Sequence, residues 1–286
     1  MIVVTGATGQ LGHAIVEKLL EQLPAQGIGV SVRDPGKAND FERRGVRVRQ
    51  GDFDDGSSLQ HAFEGATQVL IVAVNRTGFE RLRQHRTAIE AARDAGARRI
   101  LYTSHMGANP ASPFPPMPDH AATEEMLRTS GVAFTSLRNG FYASSGVMLM
   151  GQALETGVLA APQDGPVSWT VHADLVEAAA LILESEGRFD GITPFLTGSE
   201  ALDLEGLAAL ASELSGRLIK RVVITDEEHR ANMVARGLPE GAVNMSLGLF
   251  AASRQGEFAA VDPALAALLG RPPTSMLEVL KEKIAP

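Results

Sequence analysis

Two stretches of this 286-residue chain carry residue types whose order could do chemistry. The first is Thr5-Gly6-Ala7-Thr8-Gly9-Gln10-Leu11-Gly12, with glycines at the spacing G-x-x-G-x-x-G. Gly6 permits a sharp turn, Gly9 lets backbone approach a diphosphate, and Gly12 lets a following helix lie close to a strand. A helix starting there offers free N–H donors and a partial positive charge to phosphates. The same pattern also suits a plain strand-to-helix turn, but its place at the head of the first strand–helix unit points to nucleotide binding. The second stretch is His120-Ala121-Ala122-Thr123-Glu124. His120 and Glu124 stand at i and i+4, on one face of a helix. A histidine titrates near neutral pH, and a carboxylate holding it would raise its pKa.

Two further positions bear on which nucleotide would bind. Val30-Ser31-Val32-Arg33-Asp34-Pro35 reads as a second strand and its exit, with Arg33 21 residues beyond Gly12. About 20 residues past the glycines an acidic residue bonds the ribose 2′-OH of NAD, whereas an arginine nearby accommodates the 2′-phosphate of NADP. A guanidinium matches a phosphate bidentately and stays charged, and Lys37 is within reach on the next turn. Asp34 could instead take a hydroxyl, or pair with Arg33 in solvent. Gly51-Asp52-Phe53-Asp54 ends a third strand. The Asp52 carboxylate can accept from an adenine amino group while neighbouring backbone lines the base, although Gly and Asp also cluster in ordinary turns.

The elements that must position these residues alternate. Strands are expected at Ile2–Thr5, Gly29–Arg33, Val46–Gln50, Val69–Val74, Arg99–Thr103, Ala133–Leu137 and Thr193–Thr197. Helical spacing falls between them, at Gln10–Leu23, Lys37–Arg44, Ser57–Phe63, Gly78–Ala95 and Asp119–Thr129. Such alternation implies an α/β fold of Rossmann type, a doubly wound parallel sheet with helices on both faces. Val69–Val74 is apolar throughout, as a strand covered on both sides should be. The proline-rich stretch Asn109–Pro118 is expected as an irregular loop beyond the carboxyl ends of the strands, where ligands bind in such sheets. After Tyr142 the rhythm loosens. The expected organisation is a nucleotide-binding domain over 1–142 to which 166–200 returns, and a smaller lobe over 143–165 and 201–286.

Composition narrows the classes. With 26 Lys+Arg against 34 Asp+Glu, the net charge of −8 argues against nucleic acid as a partner. The absence of cysteine excludes disulfides, thiol nucleophiles and Cys-ligated metals. The longest apolar runs, Val69–Val74 and Ala178–Leu183, are far shorter than the roughly 20 residues a membrane span needs. The first strand follows Met1 directly, so no leader is expected and the reading is cytoplasmic. His85, His172 and His229 lack companions at ligand spacing, so no metal is expected. His13 and His61 are expected at the surface.

With these residues in view, the chain resembles the NmrA-like branch of the atypical short-chain dehydrogenase family, and within it the bacterial quinone-reductase and triphenylmethane-reductase group. The resemblance rests on Gly6–Gly12, Val32-Arg33-Asp34-Pro35 with Lys37, Gly51-Asp52-Phe53, Ile100–Ser104, His120–Glu124, Leu137–Tyr142, Val167–Leu175 and Leu196-Thr197-Gly198. It thins from Lys220 onward. It implies NADPH held by Gly6, Ala7, Thr8, Gly9, Gln10 and Leu11, by Arg33 at the adenosine phosphate, by Val74 and Asn75, and by Leu137, Asn139, Gly140, Phe141 and Tyr142 along the nicotinamide. It further implies a small, partly helical C-terminal substrate lobe.

Members of this branch either reduce quinones and similar flat, conjugated, apolar acceptors or sense NADP(H) without turnover. The leading expectation is a reductase, monomeric or homodimeric, with neither nucleic acid nor membrane as partner. Typical short-chain dehydrogenases carry Tyr-x-x-x-Lys, and here His120 and Glu124 fall in those places. The lysine's positive charge is therefore missing, and the usual proton relay is not expected. The reduced acceptor would take its proton from water or His120, with Phe141 and Tyr142 forming a flat wall and Tyr142 a second catalytic candidate. Tyr102 and Ser104 are expected to be structural, Ser104 capping its loop, and Asp119 to cap the helix that carries His120.

Overall fold

The computed structural model describes residues 1–284. Its elements run β1 (Ile2–Thr5), α1 (Gln10–Leu20), β2 (Ile28–Val32), α2 (Asn39–Arg43), β3 (Arg47–Gln50), α3 (Gly56–Phe63), β4 (Gln68–Ile71), α4 (Phe79–Asp94), β5 (Arg99–His105), α5 (Pro116–Thr129) and β6 (Ala133–Asn139). They continue with β7 (Phe141–Tyr142), α6 (Ala143–Met150), α7 (Ala153–Thr156), β8 (Val158–Pro162), β9 (Trp169–Thr170), α8 (His172–Glu184) and β10 (Gly191–Ile192). The remainder is α9 (Leu204–Ser215), β11 (Lys220–Ile224), α10 (Asp226–Ala235), α11 (Glu240–Arg254), α12 (Ala264–Leu269) and α13 (Met276–Ile284). None of the described helices is long and apolar enough to cross a membrane.

The chain divides into two compact units. The first comprises Met1–Pro110, Asp119–Arg138 and Leu175–Pro194. Its sheet has the strand order β10-β6-β5-β4-β1-β2-β3, with β1 pairing in parallel with both β2 and β4. This is the Rossmann-type α/β sheet that the alternating pattern implies. One face is closed by α1 through Leu11, Ile15, Val16 and Leu19. A core cluster of Leu59, Phe63, Val69, Ile71, Ala88, Ile100, Tyr102 and Leu127 joins α3, α4 and α5 to the strands. The central strands β1 and β4 are buried along their whole length, which is why their sequences are continuously apolar or nearly so.

Three of the differences from the sequence reading have a plain physical cause. The fourth strand stops at Ile71 rather than Val74, because side chains take over the next three amides: Thr5 Oγ1 accepts from Val72 N at 2.9 Å, Thr103 Oγ1 from Ala73 N at 2.9 Å, and His85 Nε2 from Val74 N at 3.2 Å. The last strand is Gly191–Ile192, not Thr193–Thr197; Pro194 has no N–H to continue a ladder, and Leu196 forms only an isolated bridge with Asn139. Finally, α5 begins at Pro116, inside the stretch expected to be loop. A helix's first turn has no intrahelical use for its N–H groups, so proline is tolerated there.

The second unit comprises Ala111–Pro118, Asn139–Asp174 and the chain from Phe195 onward. It holds two short parallel ribbons, β7 with β9 and β8 with β11, among helices α6, α7 and α9 to α13. An aromatic cluster knits it together: the Phe141 ring lies 5.9 Å from Phe114, 5.6 Å from Trp169 and 5.1 Å from Phe258.

Candidate active site

The first unit carries a cavity of about 470 Å³ at the carboxyl ends of β1, β2 and β4. Its lining includes Gly6, Thr8, Gly9, Arg33, Asp52, Phe53, Val74 and Asn75, all expected from the sequence, and adds Ser31, Val72, Arg76 and Gln84. The glycines shape one wall. Gly6 adopts φ +64°, a conformation L side chains rarely take, and its carbonyl accepts from Gly9 N at 2.9 Å. A Cβ on Gly12 would come within 2.4 Å of that same carbonyl, so α1 packs against the turn only because Gly12 has none. Gly9 is the N-cap of α1 with no side-chain cap, and the first turn holds no acidic residue. Its amides are thus left to an external anion.

At the other end, Arg33 is exposed and forms no ion pair with a described residue. Asp34 turns onto its own backbone, its Oδ1 accepting from Gly36 N at 3.1 Å, so the Arg33–Asp34 pair does not form. Ser31 Oγ is buried without a hydrogen-bond partner. Asp52 both lines the cavity and makes a turn, Oδ1 accepting from Asp54 N at 3.0 Å. Among the other residues expected at the cofactor, Ala7, Leu11 and Gly12 are buried, whereas Gln10 and Lys37 are exposed; none of them lines the cavity. Leu137 is a fully buried residue of β6.

Beyond β4 and β5 lies a buried polar circuit that sequence reasoning did not assemble. Arg81, from the first turn of α4, places Nη2 2.8 Å from His120 Nε2 on α5. A guanidinium can only donate, so His120 Nε2 accepts and the neutral ring carries its hydrogen on Nδ1. That hydrogen is donated to the Tyr102 hydroxyl, 2.8 Å away on β5. Thr123 donates to the Asp119 carbonyl at 2.8 Å. Its Oγ1 accepts from His85 Nδ1 at 2.9 Å, and the Tyr102 hydroxyl also reaches it. His85 Nε2 in turn accepts from Val74 N, on the cavity wall.

Burial, then the Arg81 charge, pushes His85 and His105 down to about 3. The same two causes hold His120 well below its ordinary value. Burial pushes Tyr102 up to about 12.

The contacts made here differ from the sequence reading. Glu124 does not hold His120 or raise its pKa: its carboxylate accepts from Ser104 at 2.8 Å, Ser136 at 2.9 Å, and Arg138 Nε and Nη2 at 3.1 and 2.7 Å. Ser104 is therefore a Glu124 partner rather than a loop cap, and the buried His120 ring is bonded to Arg81 and Tyr102 instead of Glu124. Asp119 lies inside α5, not at its cap; its Oδ2 accepts from Gly78 N at 2.7 Å, at the head of α4. Arg81 was legible only as a polar residue at a core-facing position of α4, in line with Gln84, His85 and Ala88. His13 and His61 are exposed, as expected. His13, Glu17 and Asp40 cluster at the surface, where Glu17 already pairs with Arg44 at 2.6 Å.

Asn139, Gly140, Phe141 and Tyr142 belong to the second unit. Asn139 is buried and its Oδ1 has no hydrogen-bond partner. Gly140 N donates to the Leu196 carbonyl at 2.8 Å, and a Cβ there would strike Thr170 Oγ1 at 2.1 Å. Phe141 sits in the aromatic cluster, and the Tyr142 ring centroid is 4.1 Å from that of His172.

Comparison with known proteins gives a consistent picture. The NAD(P)H-binding family matches residues 6–157. Quinone oxidoreductase 2 of Escherichia coli (strain K12) is 36% identical over 279 residues, covering 97% of this chain and 96% of that protein. Among solved structures, NADPH-dependent quinone oxidoreductase from Escherichia coli complexed with NADPH superposes with TM-score 0.92 at 34% identity, covering 99% of each chain. Triphenylmethane reductase of Citrobacter sp. complexed with NADP(H) superposes with TM-score 0.89 at 31% identity, covering 99% of this chain and 100% of that one.

Proposed function

The chain belongs to the NAD(P)H-binding family, and we propose that it is an NADPH-dependent oxidoreductase whose acceptor is a quinone or similar flat, conjugated molecule. The observation that carries this reading is the cavity in the first unit, which joins an uncapped helix N-terminus to an unpaired arginine at the adenosine end. Full-length likeness to a quinone oxidoreductase and a triphenylmethane reductase supports the acceptor class.

The residues present fit the cofactor. The Gly9–Gly12 amides and the α1 N-terminus suit a diphosphate, and Gly12 keeps the helix close enough to present them. Arg33 suits a 2′-phosphate, and the orphaned Ser31 hydroxyl offers the adenosine end a further hydrogen bond. Asp52 and Phe53 suit the adenine edge and face, and Val74 and Asn75 the wall that follows.

NADPH, when bound, supplies the hydride. The chain's own part is to orient the cofactor and set the local charge. His120 is no proton donor in this reading, because Arg81 occupies Nε2 and Tyr102 occupies Nδ1. The reduced acceptor draws its proton from water.

The test is anaerobic mixing of purified protein with NADPH and a panel of quinones, following cofactor absorbance. NADPH consumption matched by quinol formation is expected. Cofactor binding without turnover of any quinone would overturn the enzyme reading in favour of a protein that senses NADP(H).

A further inference from the structure

The catalytic position on α5 lacks the lysine of a Tyr-x-x-x-Lys enzyme, yet the structure brings a cation to it from another helix. Arg81 is 4% exposed and its Nη2 is 2.8 Å from His120 Nε2. Among the described residues no carboxylate pairs with it, and its Nε is buried without an acceptor. The carboxylates on α5 are committed elsewhere: Glu124 to Arg138, Ser104 and Ser136, Asp119 to Gly78 N, and Glu125 to Arg128. Its charge is felt by His85, His105, His120 and Tyr102, and the Glu124 carboxylate is felt at Tyr102 as well. A buried cation is ordinarily paired. This one is in ion-pair contact with no described carboxylate.

Its place in the sheet says where that charge acts. The order β3-β2-β1-β4-β5 sets Asp52 and Arg33 after β3 and β2, the glycine turn after β1, and Val72–Arg76 after β4. His105 ends β5, and His120 lies on the α5 that follows it. A dinucleotide laid from the adenosine end across the glycine turn thus has its reacting half toward β4 and β5, where Arg81 stands.

Charge at the acceptor depends on what the acceptor is. A neutral quinone that receives hydride, as NADPH becomes NADP⁺, is reduced to a hydroquinone monoanion, which then takes a proton from water. A cationic triarylmethane that receives hydride becomes a neutral molecule with no proton needed. A fixed positive charge near the acceptor favours the first change and opposes the second.

We propose that Arg81 is a positioning residue that selects the acceptor by charge: held through His120, it favours neutral acceptors that become anions on reduction and disfavours cationic ones. This rests on the reductase reading above. Holoenzyme carrying Arg81→Met, Arg81→Gln or Arg81→Lys is assayed with menadione and with malachite green. Removing the charge should lower kcat/KM for menadione on the order of tenfold or more while leaving malachite green unchanged or faster, and Arg81→Lys should retain the wild-type preference. Equal loss with both acceptors would reduce Arg81 to a structural role and overturn the proposal.

A second readout needs no turnover. Para-nitrophenol bound to the NADP⁺-loaded protein should ionise at lower pH in wild type than free in buffer, and this shift should vanish in Arg81→Met. An unshifted titration in the wild type, or no binding of the phenol, counts against Arg81 even if a neutral-charge variant fails to fold. Absence of turnover with every acceptor defeats the reductase reading, whereas the phenol titration judges the arginine separately.

Discussion

Lowering the pH from 7 to 5 should destabilise this protein steeply, because His85, His105 and His120 are neutral in the fold and must take up protons when it unfolds. The sign follows from the direction of the shifts. Each folded pKa lies below the unfolded value of about 6.5, so between those values the unfolded chain binds a proton that the native one refuses. The stability contributed is complete above 6.5 and is lost as pH falls toward the folded values, about 3 for His85 and His105. At pH 5 each histidine costs about 1.4 kcal/mol per pH unit over 1.5 units, roughly 2 kcal/mol. His120, held well below 6.5, acts in the same direction. The losses of His85 and His105 add, since both remain neutral in the native state at that pH.

The total for His85 and His105, roughly 4 kcal/mol, is a large part of the stability of an ordinary domain. His172 and His229, lowered mainly by burial, act in the same direction. Urea unfolding at pH 7, 6 and 5 measures the loss directly. His85→Gln should reduce the difference between pH 7 and pH 5 by about 2 kcal/mol, whatever it does to stability at pH 7. A loss below about 2 kcal/mol over the same range, or an unchanged difference in the variant, would refute the neutral circuit.

Gly12→Ala should weaken both fold and cofactor affinity, because its Cβ would sit 2.4 Å from the Gly6 carbonyl and α1 must ride up by roughly an ångström, at a cost of roughly 1–3 kcal/mol. Gly9→Val, whose Cβ meets the same carbonyl at 3.3 Å, should leave the melting temperature nearly intact while calorimetry shows NADPH binding at least tenfold weaker. Arg33→Ala should weaken NADPH by about 1.5–3 kcal/mol and leave NADH unaffected; equal losses for both would show that Arg33 does not read the 2′-phosphate. Glu124→Gln strips the charge from a buried carboxylate bonded to Arg138 and two serines, and should cost about 3–5 kcal/mol in urea unfolding. A cost under about 1 kcal/mol would place that pair among surface ion pairs.

The sheet and the glycine turn were readable because their signals are local. Apolar β-branched runs, helical spacing and the G-x-x-G-x-x-G turn each lie within one βα unit, and Arg33 and Asp52 follow at offsets set by the same geometry. The polar circuit was not readable, because its side chains come from three separate elements, α4, β5 and α5. His120 and Glu124 do share a side of α5, but helical spacing says only that they can meet. The neighbours decide: Arg81 and Tyr102 reach His120 first, while Ser104, Ser136 and Arg138 surround Glu124. One local sign of the circuit existed. The buried stripe of α4 begins Arg81, Gln84, His85 before turning to Ala88, Ile89 and Ala92, so polar groups occupy core register where the helix approaches the site.

The early end of β4 shows why the circuit matters to the cavity. Val72, Ala73 and Val74 line it, yet no neighbouring strand takes their amides. Each is held by one side chain from a different element: Thr5 of β1, Thr103 of β5 and His85 of α4. A strand ladder would have carried this segment straight on; three separate acceptors let it leave the sheet and still keep every amide satisfied. The His85 acceptor exists only while that ring is neutral and hydrogen-bonded through Nδ1 to Thr123, a residue the Tyr102 hydroxyl also reaches. The cavity wall and the Arg81–His120 contact therefore depend on a single hydrogen-bonding arrangement, in which a proton added at His85 would release Val74.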